Sequence, residues 1–233
     1  MKIIEKKQNR IVFSAKMSVS LANSIRRSAQ MIPIIAIDEV EISKNDSALY
    51  DETLAHRIGL VPIKMPKGSK EEVLKFKLKK KGPGYVYAGD MTGETEVVYP
   101  GIPLTLLKEG QEVKISGITK VGKGKDHAKF SPGILTYRII SEITLPKKFK
   151  EKIESKFPNS IKEKGDSITV VDNMEKPLLD FCEGLCQKDG IKATVKDTDE
   201  LIFSIESFGQ ISPEEIFKRA IAALKKELKE IKL

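Results

Sequence analysis

Tryptophan is absent from this 233-residue chain, aromatic residues make up 6%, and there are two cysteines and two histidines. Each shortage removes a possibility. Single-stranded nucleic acids are usually gripped by stacking their bases on aromatic side chains, so a chain this poor in them argues against that mode. Two cysteines give no disulfide framework and agree with a reducing compartment. No stretch approaches the roughly 18 to 20 apolar residues of a membrane-spanning helix. Residues 1–13, MKIIEKKQNRIVF, lack the apolar core and small-residue cleavage site of a secretory signal, so the cytoplasm is the expected location and no membrane is involved.

What remains is 40% hydrophobic residues in interrupted runs, the composition of a globular protein long enough for one large or two modest cores. Forty-one basic residues against 33 acidic give a net charge of +8, a balance that suits a polyanionic partner without identifying one.

The chain is organised around residues 20–63. Leu21, Ile25, Ala29 and Ile32 recur at spacings of four and three, which predicts a helix with one apolar stripe, capped by Ser18 or Ser20. Asn23, Arg26, Arg27 and Gln30 take the opposite face, and Pro33 stops the helix. An extended run over 34–42 follows, then a short helix with Tyr50, Leu54 and Ile58 four apart and Gly59 as a left-handed C-cap. Residues 1–17 read as a first strand with Gln8-Asn9 a possible turn. Alternation predicts further strands over 73–79, 112–118, 134–145, 168–171 and 201–206, a short one over 85–88, and a turn at Gly82-Pro83-Gly84. A short helix is expected over 177–187, followed by the loop 188–190, while 147–164 is lysine-rich and weakly patterned. The best-specified helix begins with Ser212 as N-cap, Pro213 at the first helical position and Glu215 two residues later. Phe217, Ile221, Leu224, Leu228 and Ile231 then form a narrow seam, up to about 30 Å long if it reaches Leu233, suited to packing along another helix.

The strings NSIRR, IDEVEI and DETLAHRIGLVPI within 23–63 resemble the D-subunit family of archaeal DNA-directed RNA polymerase. Its relatives are the third-largest subunit of eukaryotic polymerase II and, more distantly, the N-terminal region of the bacterial alpha subunit. GKGKDHAKFSP at 122–132 and SFGQISPEEIFKRA at 207–220 resemble two further signatures, and the match is poorest over 147–200. The resemblance implies an α+β protein with a discontinuous dimerisation domain of residues 1–36, 137–146 and 201–233, a sheet carrying two long helices. A mostly-β domain of residues 37–136 is inserted, and residues 147–200 form a reduced ferredoxin-like module. It further implies a non-catalytic assembly subunit that pairs with subunit L, meets small subunits N and P, supports the large catalytic subunits and touches DNA only through the whole complex.

Residue by residue, the resemblance gives Leu21, Ile25, Ala29, Phe217, Ile221, Leu224 and Leu228 to subunit L. It gives Arg26, Arg27, His56, Arg57, Lys125, His127 and Lys129 to docking of large or small subunits. Pattern alone asks less: two helical surface arginines need no function, and His56 and Arg57 suit a helix C-terminus. Neither histidine has a metal-ligand spacing, and Asp38-Glu39 and Asp51-Glu52, adjacent in sequence, do not share a face. Residues 117–124, GITKVGKG, imitate a phosphate-binding loop, but Gly124 stands where a hydroxyl residue is required and no helix pattern follows. Many archaeal relatives carry iron-sulfur clusters in the third module. Here only Cys182 and Cys186 are present, with Phe157-Pro158 where relatives tend to have Cys-Pro, so no cofactor and no metal are expected. Two rival readings are a free-standing basic nucleic-acid-binding protein and a redox or metal module on the two cysteines.

Overall fold

A computed structural model describes residues 1–65, 73–94, 96–158, 160–172 and 178–231. The expected first residue of the helix over 177–187, Pro177, and the furthest reach expected for the C-terminal helix, Leu233, lie outside the described residues. Two compact units are formed, one from Met1–Lys6, Ile11–Asn23 and Thr136–Ser204, the other from Lys7–Arg10, Ser24–Leu135 and Ile205–Leu233. The fold is α+β.

In chain order the elements are β1 (Lys2–Lys6), β2 (Arg10–Lys16), α1 (Val19–Ser28), β3 (Pro33–Asn45), α2 (Asp51–Gly59), β4 (Lys75–Lys81), β5 (Gly84–Tyr87), β6 (Met91–Gly93) and β7 (Pro103–Leu107). There follow β8 (Glu112–Lys123), β9 (Gly133–Pro146), α3 (Lys150–Glu154), β10 (Ile161–Lys164), β11 (Ser167–Val171), α4 (Leu178–Lys188), β12 (Thr194–Ser207) and α5 (Pro213–Glu230).

The first unit is built on the sheet β1-β2-β12-β9-β11-β10. Residues 1–17 make a hairpin rather than one strand, the turn at Gln8-Asn9 separating β1 from β2. Phe13 stacks on Phe203 at 5.2 Å, and Tyr137 meets the same ring at 6.0 Å. The stretch 147–200 does not stand apart from this sheet: β11 pairs antiparallel with β9, Ile168 opposite Leu145, and β10 pairs with β11. The weakly patterned 147–164 contains α3 and β10. Short elements of this kind carry too few turns to display a period, yet Phe149, Ile153 and Phe157 recur every four residues and are buried. With Ile143, Ile168 and Val170 they pack against Leu178, Cys182 and Cys186 of α4, again spaced by four on one face.

The second unit holds the four-stranded sheet β3-β8-β4-β6 and the small sheet β5-β7. Leu74, Phe76 and Leu78 point into its core while Lys75, Lys77 and Lys79 stay exposed, the expected alternation. α2 covers this core with Leu54 and Ile58, both buried, each contributing about 1.5–3 kcal/mol of transfer free energy. β8 runs to Lys123, so residues 117–123 lie in a strand and the imitation phosphate loop has neither the loop nor the helix it would need.

Two expectations are corrected. The first of the two long helices is short: α1 has 10 residues. Ser28 Oγ turns back to the carbonyl of Ser24 at 2.9 Å, and the chain tightens into a single 3-10 turn, Ala29–Met31, ahead of Pro33. Gly59 is not a left-handed cap. α2 continues through it to Leu60, at φ −86°, whose N–H reaches the carbonyls of His56 and Arg57, so the last turn closes without a positive φ.

Candidate assembly surface

The three sequence signatures meet within the second unit. The 3-10 turn after α1 carries Gln30, whose main-chain oxygen accepts from the Lys125 N–H at 3.2 Å and whose Oε1 accepts from Ser131 Oγ at 3.2 Å. Glycines make this closeness possible. A Cβ on Gly124 would run into Gln30 Oε1, one on Gly122 would stand 2.5 Å from the Phe130 ring, and one on Gly133 would strike the carbonyl oxygen of Glu206. The third signature arrives through Phe208, whose N–H donates to Pro132 O at 3.1 Å, and through Gln210, whose Nε2 donates to Ile35 O at 3.0 Å.

A β-bulge aims one more group at this junction. Ile37 opposes Thr119 and Glu39 opposes Ile118, leaving Asp38 as the extra residue of β3. Its carboxylate takes Lys129 Nζ at 2.6 Å and Lys120 Nζ at 3.6 Å. The hydrogen bond from Lys129 holds the Asp38 carboxyl below the ordinary range, against a smaller opposing effect of burial. Lys129 also lies 5.0 Å from the centre of the Phe130 ring.

These contacts sort the candidate docking residues. Lys129 is half-buried and engaged with Asp38, whereas Lys125 and His127 are exposed. His127 caps a short 3-10 turn, its Nδ1 accepting from the Lys129 N–H at 3.1 Å. Arg26 and Arg27 are exposed in the last turn of α1. His56 and Arg57 are exposed in the last turn of α2, where they favour the helix dipole, and Arg57 Nη2 donates to Pro103 O at 2.5 Å. Asp51 and Glu52 occupy the first turn of the same helix, the favourable end for carboxylates.

The apolar positions divide as sharply. Ile25 and Ala29 are buried by the chain's own packing, while Leu21 is 45% exposed. On α5, capped by Ser212 Oγ accepting from the Glu215 N–H at 3.3 Å, the buried face is Pro213, Ile216 and Ala220. α5 packs against the 3-10 turn at Ala29–Met31. The seam of Phe217, Ile221 and Leu224 lies beside that face, half-buried, and continues into Leu228 and Ile231, exposed by 58% and 63%. Between α5 and the turn a groove of about 630 Å³ is lined by Met31, Pro33, Lys125, Ala222, Ala223 and Lys226.

Cys182 and Cys186 are buried free thiols on one face of α4. Burial, reinforced by Cys186, pushes the Cys182 thiol up to about 11, and burial raises Cys186 as well. Two protonated thiols are not the four thiolates a four-iron cluster takes, and the chain has no others. No group of three or more His, Cys, Asp or Glu among the described residues is arranged to hold a metal ion. No helix among them is long and apolar enough to cross a membrane. Sequence reasoning missed Gln30 as a junction residue, Asp38 as a bulge and Gln210 as a tie. Asp38 stands inside the string IDEVEI and Gln210 inside the third signature, which were the available signals.

Residues 19–136 match the family model of the RNA polymerase Rpb3/RpoA insert domain. The DNA-directed RNA polymerase subunit Rpo3 of Pyrococcus furiosus is 34% identical over 243 aligned residues, covering 95% of this chain and 91% of that protein. Its counterpart in Pyrococcus horikoshii is 32% identical over 241 residues, 96% and 92% of the two chains. That of Methanocaldococcus jannaschii is 40% identical over 146 residues, 60% of this chain and 76% of that protein.

Proposed function

Because the chain belongs to the family of the archaeal DNA-directed RNA polymerase subunit Rpo3, we propose that it is a non-catalytic assembly subunit of that nucleotidyltransferase, working in the cytoplasm. It pairs with subunit L through α1 and α5, meets small subunits N and P, and offers the resulting platform to the large catalytic subunits, which hold the active site and the DNA. The reading of residues 1–36, 137–146 and 201–233 as the dimerisation domain, 37–136 as the insert and 147–200 as a third module without a cluster belongs to the same proposal.

The observation that carries the pairing is the end of α5. A helix of 18 residues spans about 27 Å, and the apolar seam on it grows more exposed towards Leu228. Exposed apolar surface in a continuous line is what a helix of a partner would cover. The same reading gives subunit L the exposed Leu21 of α1, and it gives Ile25 and Ala29, which the chain's own packing buries. Arg26 and Arg27, with His56, Arg57, Lys125 and His127, are left to the other subunits, where arginine's planar fork suits interface carboxylates.

Co-expression with subunit L tests the proposal. A soluble 1:1 complex is expected from the native pair, none from Leu228→Glu, and an intact pair with weakened capture of a large subunit from Arg27→Ala. A native chain that stays monomeric beside subunit L, or a Leu228→Glu chain that pairs normally, overturns it.

A further inference from the structure

At the level of Ser116 and Ile118 the outer face of the four-stranded sheet carries charge in two parallel rows, and Lys114 and Lys120 of β8, paired with Glu112 and Asp38, stand beyond the two ends. Registers across β3, β8 and β4 align Glu39 with Ile118 and Lys75, and Glu41 with Ser116 and Lys77. A row of carboxylates on β3 therefore faces a row of ammonium groups on β4. One strand lies between them, which sets the rows roughly 10 Å apart. None of Glu39, Glu41, Lys75 and Lys77, all exposed, makes an ion pair with another described residue, so the two rows are left unneutralised by each other. Between them Ser116 and Ile118 carry shorter side chains than the flanking glutamates and lysines, and these six residues line a trough of about 300 Å³.

We infer that this trough seats an α-helix of a protein partner, with basic residues along the flank facing Glu39 and Glu41 and acidic residues along the flank facing Lys75 and Lys77. The dimensions agree. A helix with its side chains is about 10–12 Å across, close to the spacing of the rows. Residues i and i+4 on a helix rise about 6 Å, close to the roughly 6.6–6.8 Å between alternate residues of a strand, so successive helix turns fall opposite successive charges. The charges also select against other occupants. A nucleic acid strand would meet favourable lysines on one side and repelling carboxylates on the other, and complementarity of this two-sided kind sets orientation and excludes wrong partners. Ile118 supplies the apolar contact at the centre of the floor.

The inference rests on the reading of the chain as a polymerase subunit, and its test separates the two. A photoreactive benzophenone amino acid is substituted at Ser116, or at Ile118 as a second label in case the first blocks seating, and the full chain is assembled into RNA polymerase with its other subunits. Entry of the unlabelled chain into the polymerase tests the assembly reading alone. The expected cross-link joins the label to a helical segment of another subunit with the two-flank charge pattern. Its yield should fall about tenfold in a Glu39→Lys, Glu41→Lys background, because reversed charges now oppose the partner's basic flank. Cross-links from both labels to nucleic acid, to a second copy, to a segment without the pattern, or to nothing in the assembled polymerase overturn the inference, as does a yield indifferent to the charge reversal.

Discussion

Gln210 Nε2 donates to the main-chain oxygen of Ile35 at 3.0 Å, a buried bond between residues 175 apart in sequence. It ties the loop before α5 to β3 at the foot of the junction formed by the three signatures. Gln210→Leu removes the donor and leaves a buried carbonyl without a partner, which costs about 1–3 kcal/mol. Thermal or urea unfolding of the complex with its partner should register the loss, and an unchanged midpoint would deny the bond a structural role.

Asp38 gives a pH signature. Its carboxyl is held below the ordinary value of 3.8, first by the hydrogen bond from Lys129. A depressed folded-state value means the stabilisation is fully present above the unfolded value and is lost as pH falls through the folded one. Asp38→Asn should therefore cost about 1 kcal/mol at neutral pH, and the gap to the native chain should close progressively below about pH 4. Unfolding midpoints of both proteins between neutral and acid pH measure it, and parallel curves throughout would sink the assignment.

Gly133 stands against main chain, not against a movable side chain. A Cβ there meets the Glu206 carbonyl and, at 3.0 Å, the Ser207 Cα. Gly133→Ala should destabilise by about 1–3 kcal/mol, the usual cost of forcing atoms into a packed site. Gly110→Ala is a useful contrast, because that site is open but has φ +77°, so its cost comes from backbone strain instead.

The two thiols should be nearly inert in the folded protein. Both are buried, and the Cys182 thiol is pushed up to about 11. Reaction with a thiol-specific chromogenic disulfide at mildly alkaline pH should be slow until urea unfolds the chain, then yield two equivalents, matching the two cysteines. Fast native-state labelling would contradict the packing of α4. A raised folded-state value also means that this stabilisation holds at neutral pH and fades as pH climbs from 9.0 towards about 11.

Much of the local structure was legible because it follows from periodicity and from a few special residues. The cap at Ser212, Pro213 at the helix start, and the alternation of Leu74, Phe76 and Leu78 with lysines state their structures outright. The end of α1 was harder to read: its termination depends on Ser28 bonding back to Ser24, which competes with helix propensity at a position that reads as helical. The elements within 147–164 were hidden because each is only four or five residues long, too short to display a period, although they pack on neighbours close in sequence, β9, β11 and α4. The bulge at Asp38 leaves no trace in a one-dimensional pattern, since it is a property of the pairing with β8. Of the candidate surface, Arg26, Arg27, His56, Arg57, Lys125, His127 and Lys129 stand inside the signatures, whereas Leu21, Leu224 and Leu228 were marked only by helical spacing. Which of them remain open to a partner was not legible, because Lys129 and Lys125 differ only in what folds against them.

The division of the second unit among Lys7–Arg10, Ser24–Leu135 and Ile205–Leu233 has a bearing on synthesis. Gln210 and α5 leave the ribosome after the roughly 70 residues from Thr136 to Ser204, a delay of roughly 4 to 14 seconds at common elongation rates. Throughout that interval β3 and the 3-10 turn are without the piece that closes them in the finished fold. A partner or chaperone that arrives during translation meets that unfinished edge first.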